Sequence, residues 1–397
     1  MLKDFDFCLS THFIFGKDAE LKVGDTIKAN GASTVMLLHD PGEFLYTSGL
    51  LSRVMSNLEQ AGLRVIEAGE VKPNPLISYA EKLARICKEE KVNYLVSLGG
   101  GSVIDTAKCV SAMVAFDGPV EDLFRFGKGK ADPARVIPHA VILTNPATGS
   151  ESAFTCVMDN DVTRVKAGLT GGGPFLRPNY CFMNPELSYS LPPRATGAGI
   201  VDMFSHIAER YFCNDASFGL IDYMAEGAMR YLGENAVKCV EDGTNYDVRS
   251  NVMYAGSVAH NDTLGVGRAK DMGSHDIAHA LSALYDTPHG ITMAMIMPCW
   301  MRHIYQRDVE RFSRWAVQVW GVEDSADKNA VCLKGIEAFE SWCLSLRCPI
   351  GFAGANIPAD RAEQVIAKAF NPHKPLGRCY PLSEDDIRAI VNMSAAR

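Results

Sequence analysis

The sequence predicts an α/β domain built on a parallel sheet, followed by an all-α domain. Three observations carry that prediction. Short apolar runs alternate with amphipathic helical stretches through the first half, the pattern of strands joined by helical crossovers. Strand signals fade after Pro192, where long apolar-periodic segments such as "GIVDMFSHIAERYF" and "YMAEGAMRYLGENAVKCV" take over. Between them, "LSYSLPPRA" breaks regular structure with two prolines. The expected domains are residues 1–188 and 189–397, and 397 residues suffice for two sizeable cores.

The elements follow in order. "STVMLLHD" (residues 33–40) reads as a buried strand, and "GLLSRVMSNLEQAG" as a helix closed by Gly62. "LRVIEAGE" is a second strand. "PLISYAEKLARICKEEK" is a helix whose Lys-rich end suits the helix dipole. "VNYLVSLGGG" is a third strand, "SVIDTAKCVSAMVAF" the helix after it, and "HAVILTNPATGS" a fourth strand with its loop. No internal repeat or low-complexity linker interrupts the chain.

Composition excludes several classes. A net charge of −8 without a long basic run argues against a nucleic-acid partner. No apolar run reaches the roughly 20 residues of a bilayer span. The start, "MLKDFDFCLSTHFIFG", lacks the basic and apolar regions of a signal peptide, so a cytoplasmic protein is expected. The twelve cysteines form no C-x-x-C pair and read as isolated thiols in a reducing compartment.

Two loops carry binding chemistry. In "LVSLGGGSVIDTAK", Gly99, Gly100 and Gly101 join a strand to a helix whose first N–H groups, with Ser102, suit a phosphate oxygen. The motif is neither G-x-G-x-x-G nor a Walker loop. A tight structural turn is the competing explanation. "TNPATGSES" adds Thr144, Thr148 and Ser150 after the fourth strand; it is no nucleophile elbow. Two such loops on one sheet edge point to a dinucleotide. Asp40 ends an earlier strand, where a carboxylate would accept from a ribose and repel a 2′-phosphate, as would Glu43. This favours NAD over NADP, although "HDPGE" also reads as a plain turn.

Three of the ten histidines crowd into "GSHDIAHALSALYDTPHG" (residues 273–290). His275 and His279 lie four residues apart, as do Asp202 and His206 in "VDMFSH", so each pair shares a helix face. A carboxylate with imidazoles suits a borderline divalent ion such as Fe(II) or Zn(II). Spacing alone does not choose the ligands. By analogy with H-E-x-x-H the pair His275 and His279 would bind, and if His289 binds as well, one of the three is idle or plays another role.

Together these segments resemble the iron-containing (group III) alcohol dehydrogenase family. "GGGSVIDTAK" looks like its cofactor loop, "GSHDIAHALSALYDTPHGITMAMIMP" like its histidine signature, and "GIVDMFSH" like its Asp/His pair. "FIFGKDAE" and "TNPATGSE" match in order and spacing, and "GRAKDMGSH" resembles the butanol-dehydrogenase-like branch. The resemblance implies a Rossmann-like parallel sheet and a helical domain in a dehydroquinate synthase-like architecture. It makes Asp202, His206, His275 and His289 the metal ligands and puts His279 beside nicotinamide and substrate. It places Gly100, Gly101 and Ser102 at the pyrophosphate and Thr144, Thr148 and Lys166 along the cofactor. Together with the reading of the loops, the candidate cofactor residues are Asp40, Gly99, Gly100, Gly101, Ser102, Asp105, Thr144, Thr148, Ser150, Lys166 and Leu187. It also implies a homodimer formed through an N-terminal strand near Phe13–Phe15.

The chain departs from the family pattern at Asn184, usually Asp, and at Ser282, usually Gly. "HDPGEFLYTSG" replaces the butanol branch's glycine-rich turn, which strengthens the preference for NAD. The implied activity is hydride transfer between NAD(H) and a small primary alcohol or aldehyde, with one divalent metal, Fe(II) before Zn or Mn. Aldehyde reduction is the favoured direction, and His279 relays the proton. Arg164, Arg268 and Lys270 could hold an anionic tail, as in sulfoacetaldehyde. The alternatives are an NADP-dependent butanol dehydrogenase-like enzyme, a dehydroquinate synthase-like lyase, and a non-catalytic nucleotide sensor.

Overall fold

The apolar runs of the first half become six strands of one parallel sheet in the computed structural model, which describes residues 3–124, 127–161, 165–213, 218–370 and 375–397. The chain divides into a unit of residues 8–190 and a second unit of residues 191–397 with the residues up to Phe7.

In the first unit the order is β1 (His12–Phe15), α1 (Val23–Ala29), β2 (Thr34–His39), α2 (Glu43–Thr47), α3 (Leu50–Gln60), β3 (Arg64–Ala68), α4 (Ile77–Glu89), β4 (Tyr94–Gly100), α5 (Gly101–Val114), β5 (His139–Asn145), β6 (Val157–Asn160), β7 (Val165–Gly168) and β8 (Tyr180–Met183). The sheet runs β1-β8-β5-β4-β2-β3 and every pairing is parallel. The strands alternate between two cores, as a pleat requires. Val35 and Leu37 pack with Val23, Ile27, Leu50, Val54 and Leu58 of α1 and α3. Met36 and Leu38 face the other way, onto Leu83 and Ala84 of α4 and Val103 and Ala107 of α5. The short strands β6 and β7 form an antiparallel hairpin, with Asp159 opposite Lys166.

One feature of this topology positions a site. From β2 the chain proceeds to β3 on one side and returns to β4 on the other. The crevice at the carboxyl ends of β2 and β4 is therefore a topological switch point, where open parallel sheets bind ligands. Asp40 and the three glycines sit there.

The second unit is helical: α6 (Pro193–Tyr211), α7 (Leu220–Glu241), α8 (Tyr246–His260), α9 (Gly273–Tyr285), α10 (His289–Ile304), α11 (Val309–Trp320), α12 (Lys328–Ser345), α13 (Ala362–Ala369) and α14 (Glu384–Ala395). Its core holds Phe204, Phe212, Trp300, Phe312, Trp315 and Phe339, with Phe212 stacked on Phe312 at 4.1 Å. No helix among the described residues is long and apolar enough to cross a membrane.

One cysteine expectation is corrected. Cys213, just past α6, is disulfide-bonded to Cys379, with Cα atoms 5.4 Å apart. The partners are 166 residues apart in the chain, so spacing held no sign of the pair. The other ten cysteines are free thiols.

Candidate metal centre and nucleotide loop

Helix α6 carries Asp202 and His206 one turn apart on a face turned into the core, and both are buried. His275 sits in the first turn of α9 and His289 opens α10, directly after Pro288. Asp202 Oδ1 lies 3.6 Å from His206 Nε2 and 3.6 Å from His289 Nε2. Ligand atoms of Asp202, His275 and His289 all fall within 4.8 Å of one another. The His206 ring stacks on that of His275 at 4.5 Å. Donors about 2.0–2.2 Å from a shared ion stand roughly 3–3.6 Å apart, so the 3.6 Å separations suit a divalent cation.

Both ring nitrogens of His275 are buried without an aligned hydrogen-bond partner among the described residues, a cost that ligation of an ion by one of them would reduce. Burial, with His260 and His275 close by, drives His206 well below the ordinary imidazole value. The neutral ring is the form that ligates. His279 lies one turn beyond His275 on α9. Its ring is 6.3 Å from that of His275 and stacks on His289 at 4.6 Å. It thus borders the cluster through His289.

Sequence reasoning missed three residues here. Glu209, fully buried, places Oε2 3.2 Å from His275 Nδ1. Burial alone would raise its carboxyl, but His275 and the donors of Ser274 outweigh that and hold it below the usual range. His260, ending α8, meets the His206 ring edge-on at 4.1 Å. Asp271 accepts from Gly273 N, Cys379 N and Tyr380 N at 3.0, 2.8 and 2.8 Å, fixing the start of α9. The one available signal was H-x-x-E within α6, which puts Glu209 near the face of His206.

In the sheet unit, Asp40 Oδ1 accepts from Gly42 N at 2.8 Å, so the carboxylate builds its own turn. A Cβ on Gly99 would stand 2.5 Å from Val103 Cγ2 and 3.4 Å from Asp40 Oδ2. One on Gly100 would meet Asn145 Cβ at 2.9 Å, and one on Gly101 Thr148 Oγ1 at 2.7 Å. These glycines leave the space that side chains would fill where β4 turns into α5. Gly101 and Ser102 form the first turn of α5, whose leading N–H groups lack partners within the helix.

The remaining cofactor candidates take different positions. Asp105 accepts from Ser150 Oγ at 2.5 Å and from Val157 N at 2.9 Å. Lys108, wholly buried, donates to Ser150 Oγ at 2.7 Å and to Thr155 O at 2.9 Å. Asp105 and Ser150 therefore brace the second loop from beneath. Thr148 Oγ1 accepts from Ser150 N at 3.2 Å, and Thr144 is buried at the end of β5. Lys166 donates to Asn74 Oδ1 at 2.7 Å, and Leu187 packs in the core beside α1 and α3. A cavity of about 510 Å³ beside Pro41 is lined by Glu70, Lys72, Tyr79, Lys82 and Thr106.

The departures from the family pattern have physical accounts. Asn184 accepts from Glu186 N at 3.1 Å and donates to buried Glu20 Oε2 at 3.0 Å. An aspartate there would face a second carboxylate. Ser282 donates to Thr287 O at 2.8 Å, which satisfies its hydroxyl. Of the cations, Arg268 grips Asp222 at 2.9 and 3.1 Å, and Asp222 also accepts from Arg311 at 2.7 Å. Lys270 pairs with Asp262, and burial together with Arg210 lowers it to about 8. Arg164 lies outside the described residues.

A parallel sheet with a glycine turn at its switch point, and a helical unit with a carboxylate–imidazole cluster, define an α/β-plus-α architecture. The chain belongs to the iron-containing alcohol dehydrogenase family. The iron-containing alcohol dehydrogenase model matches residues 10–185, and the Fe-containing alcohol dehydrogenase C-terminal model matches residues 196–395. A probable NADH-dependent butanol dehydrogenase 1 of Bacillus subtilis (strain 168) is 32% identical over 394 residues, covering 99% of this chain and 100% of that one. The NADPH-dependent aldehyde reductase YqhD of Escherichia coli (strain K12) is 29% identical, covering 90% and 92%. The crystal structure of NADH-dependent butanol dehydrogenase A from Thermotoga maritima superposes with a TM-score of 0.92 at 31% identity, covering 99% of each chain.

Proposed function

We propose that the protein reduces small aldehydes to primary alcohols, reversibly, with NAD(H) and one divalent metal ion, Fe(II) first. The observation that carries this is Asp202, whose Oδ1 stands 3.6 Å from imidazole nitrogens of two separate helices. Asp202, His206, His275 and His289 would hold the ion. When bound, the ion supplies Lewis acidity toward the substrate oxygen and the nicotinamide supplies the hydride.

The chain's own residues do the rest. His279, half-buried beside His289, passes a proton between the substrate oxygen and solvent. The N–H groups of Gly101 and Ser102 bind the pyrophosphate, with Thr148 alongside and Asp105 and Ser150 holding the loop. Lys166 approaches the cofactor ribose. The cavity beside Pro41 is large enough for an adenosine moiety. Asp40 accepts the ribose hydroxyls and disfavours a 2′-phosphate. Relatives named for NADH and for NADPH both occur, so this carboxylate supports the choice of NAD.

An uncharged aldehyde is the substrate class we favour, because Arg268 is already neutralised by Asp222. Among the described residues β1 lies at one edge of the sheet, beside β8, and Phe15 is exposed, which supports a homodimer formed across that edge. The test is metal analysis combined with NADH oxidation over a series of short aldehydes. Metal-dependent NADH consumption is expected. Tight NAD binding with no turnover and no metal would overturn the proposal.

A further inference from the structure

We infer that Glu209 is a positioning residue for the metal centre: its carboxylate holds the proton of His275 on Nδ1 and so presents Nε2 to the ion. This rests on the metal reading above. The geometry is specific. Glu209 Oε1 accepts from Ser274 N at 3.0 Å, from His275 N at 3.2 Å and from Ser274 Oγ. Its other oxygen lies 3.2 Å from His275 Nδ1. Both Glu209 and His275 are buried from solvent, at 0% and 1% exposure, so water does not compete for either group. Neither ring nitrogen of His275 has an aligned hydrogen-bond partner among the described residues, but Nδ1 is the one with a carboxylate oxygen 3.2 Å away, which leaves Nε2 as the nitrogen for an ion.

The carboxylate does two jobs that can be separated. As a helix cap from a neighbouring helix, it satisfies the N–H groups of the second and third residues of α9. As an acceptor for Nδ1–H, it sets the tautomer and ring orientation of a ligand, the arrangement by which carboxylates commonly tune metal-bound imidazoles. Glu209→Gln parts the two. Its carbonyl oxygen can still cap α9. Its amide would donate toward His275 Nδ1, moving the ring proton to Nε2 and blocking the lone pair the ion needs.

The experiment measures Zn(II) affinity of purified protein by chelator competition, with melting of the metal-free protein recorded in parallel. Glu209→Gln should weaken Zn(II) binding about 10- to 100-fold while metal-free melting stays near parental. Ser274→Ala, which removes one donor to the cap and leaves the His275 contact, should lower melting but leave Zn(II) affinity within about threefold. Equal loss of affinity in both variants, or parental affinity in Glu209→Gln, would overturn the inference.

Asp202→Ala tests the underlying reading separately. If parental protein binds no Zn(II), or Asp202→Ala binds it as tightly, the metal centre itself is wrong. Should Glu209→Gln fail to fold, long-range 1H–15N spectra of histidine-labelled parental protein loaded with Zn(II) decide the matter. A protonated Nδ1 with a zinc-shifted Nε2 on His275 is expected, and zinc on Nδ1 would refute the assignment.

Discussion

Gly290→Ala should damage the proposed metal centre without replacing any of its four proposed ligands. Gly290 follows His289 at the start of α10, where that helix crosses α6. A Cβ built on it would lie 2.5 Å from the Ala198 carbonyl carbon and 3.0 Å from Ala198 Cα, and closer still to the carbonyl oxygen. Ala198 is one turn before Asp202 on α6. The helix contact that excludes the methyl group is therefore the one that brings His289 to Asp202. Carbon atoms pack at about 3.5–4.0 Å, so the backbones must part by about 1 Å. A comparable shift of His289 Nε2, now 3.6 Å from Asp202 Oδ1, takes it out of shared coordination. A misplacement of about 1 Å costs roughly 100-fold in rate, or about 2.7 kcal/mol of transition-state stabilisation. Overpacking should also remove about 1–3 kcal/mol of stability. The assay is aldehyde-dependent NADH oxidation with metal in excess, alongside Zn(II) affinity and urea unfolding. Gly227→Ala, where a Cβ meets nothing within 4 Å, is the control and should be neutral or slightly stabilising. Gly290→Ala with parental kcat/KM and parental Zn(II) affinity would refute the idea that this crossing sets the ligand geometry.

Other predictions follow from the same structure. His279→Ala should lower kcat by about 100- to 10,000-fold with metal content retained, measured by turnover and metal analysis; equal loss of metal would make His279 a ligand instead. Asp40→Ser should raise the NADPH-to-NADH ratio of kcat/KM by more than about tenfold, and an unchanged ratio would remove Asp40 as the selector. Asp222→Asn should cost about 3–5 kcal/mol in urea unfolding, because it leaves Arg268 and Arg311 buried without their shared carboxylate. The pH dependence has a definite sign: burial would raise Asp222, but Arg268, Gly219 N and Arg311 hold it at about 2, below its unfolded value. Its contribution of about 2 kcal/mol is present above pH ~4 and lost as pH falls through about 2, so the parental advantage over Asp222→Asn should shrink across that window.

The sheet was legible because its strands obey one local rule. β2, β4 and β5 are buried on both faces and read as continuous apolar runs, and the glycine turn follows β4 directly. β8 escaped notice because four residues of "YCFM" give too short a signal, although it sits between β1 and β5. The hairpin of β6 and β7 escaped for the same reason. In the helical unit, Asp202 and His206 were legible as a pair because one turn of α6 joins them. The relation of His275 to His289 was not, because it depends on how α9 and α10 meet α6. Spacing left the ligands open, and analogy with H-E-x-x-H offered His275 with His279. In the structure, ligand atoms of His275, Asp202 and His289, from three helices, lie within 4.8 Å of one another.

The residues missed share a physical cause. Glu209 in "HIAERYF" and Asp222 in "GLIDYM" stand in helical patterns where a charge reads as a solvated surface position. Both are fully buried. What keeps them there is tertiary: the first turn of α9 for Glu209, and Arg268 with Arg311 for Asp222. Asp105 and Ser150 show the converse. Their types, and their places just after the two glycine-bearing turns, suit direct contact with a nucleotide, yet their polar atoms are bonded to each other, to Lys108 and to Val157 N. Residue type reports which hydrogen bonds a group can make, while only the fold decides whether a ligand or the protein receives them. A carboxylate buried behind a candidate ligand is therefore a signal that only the folded chain carries, and Glu209 behind His275 is the instance in this protein.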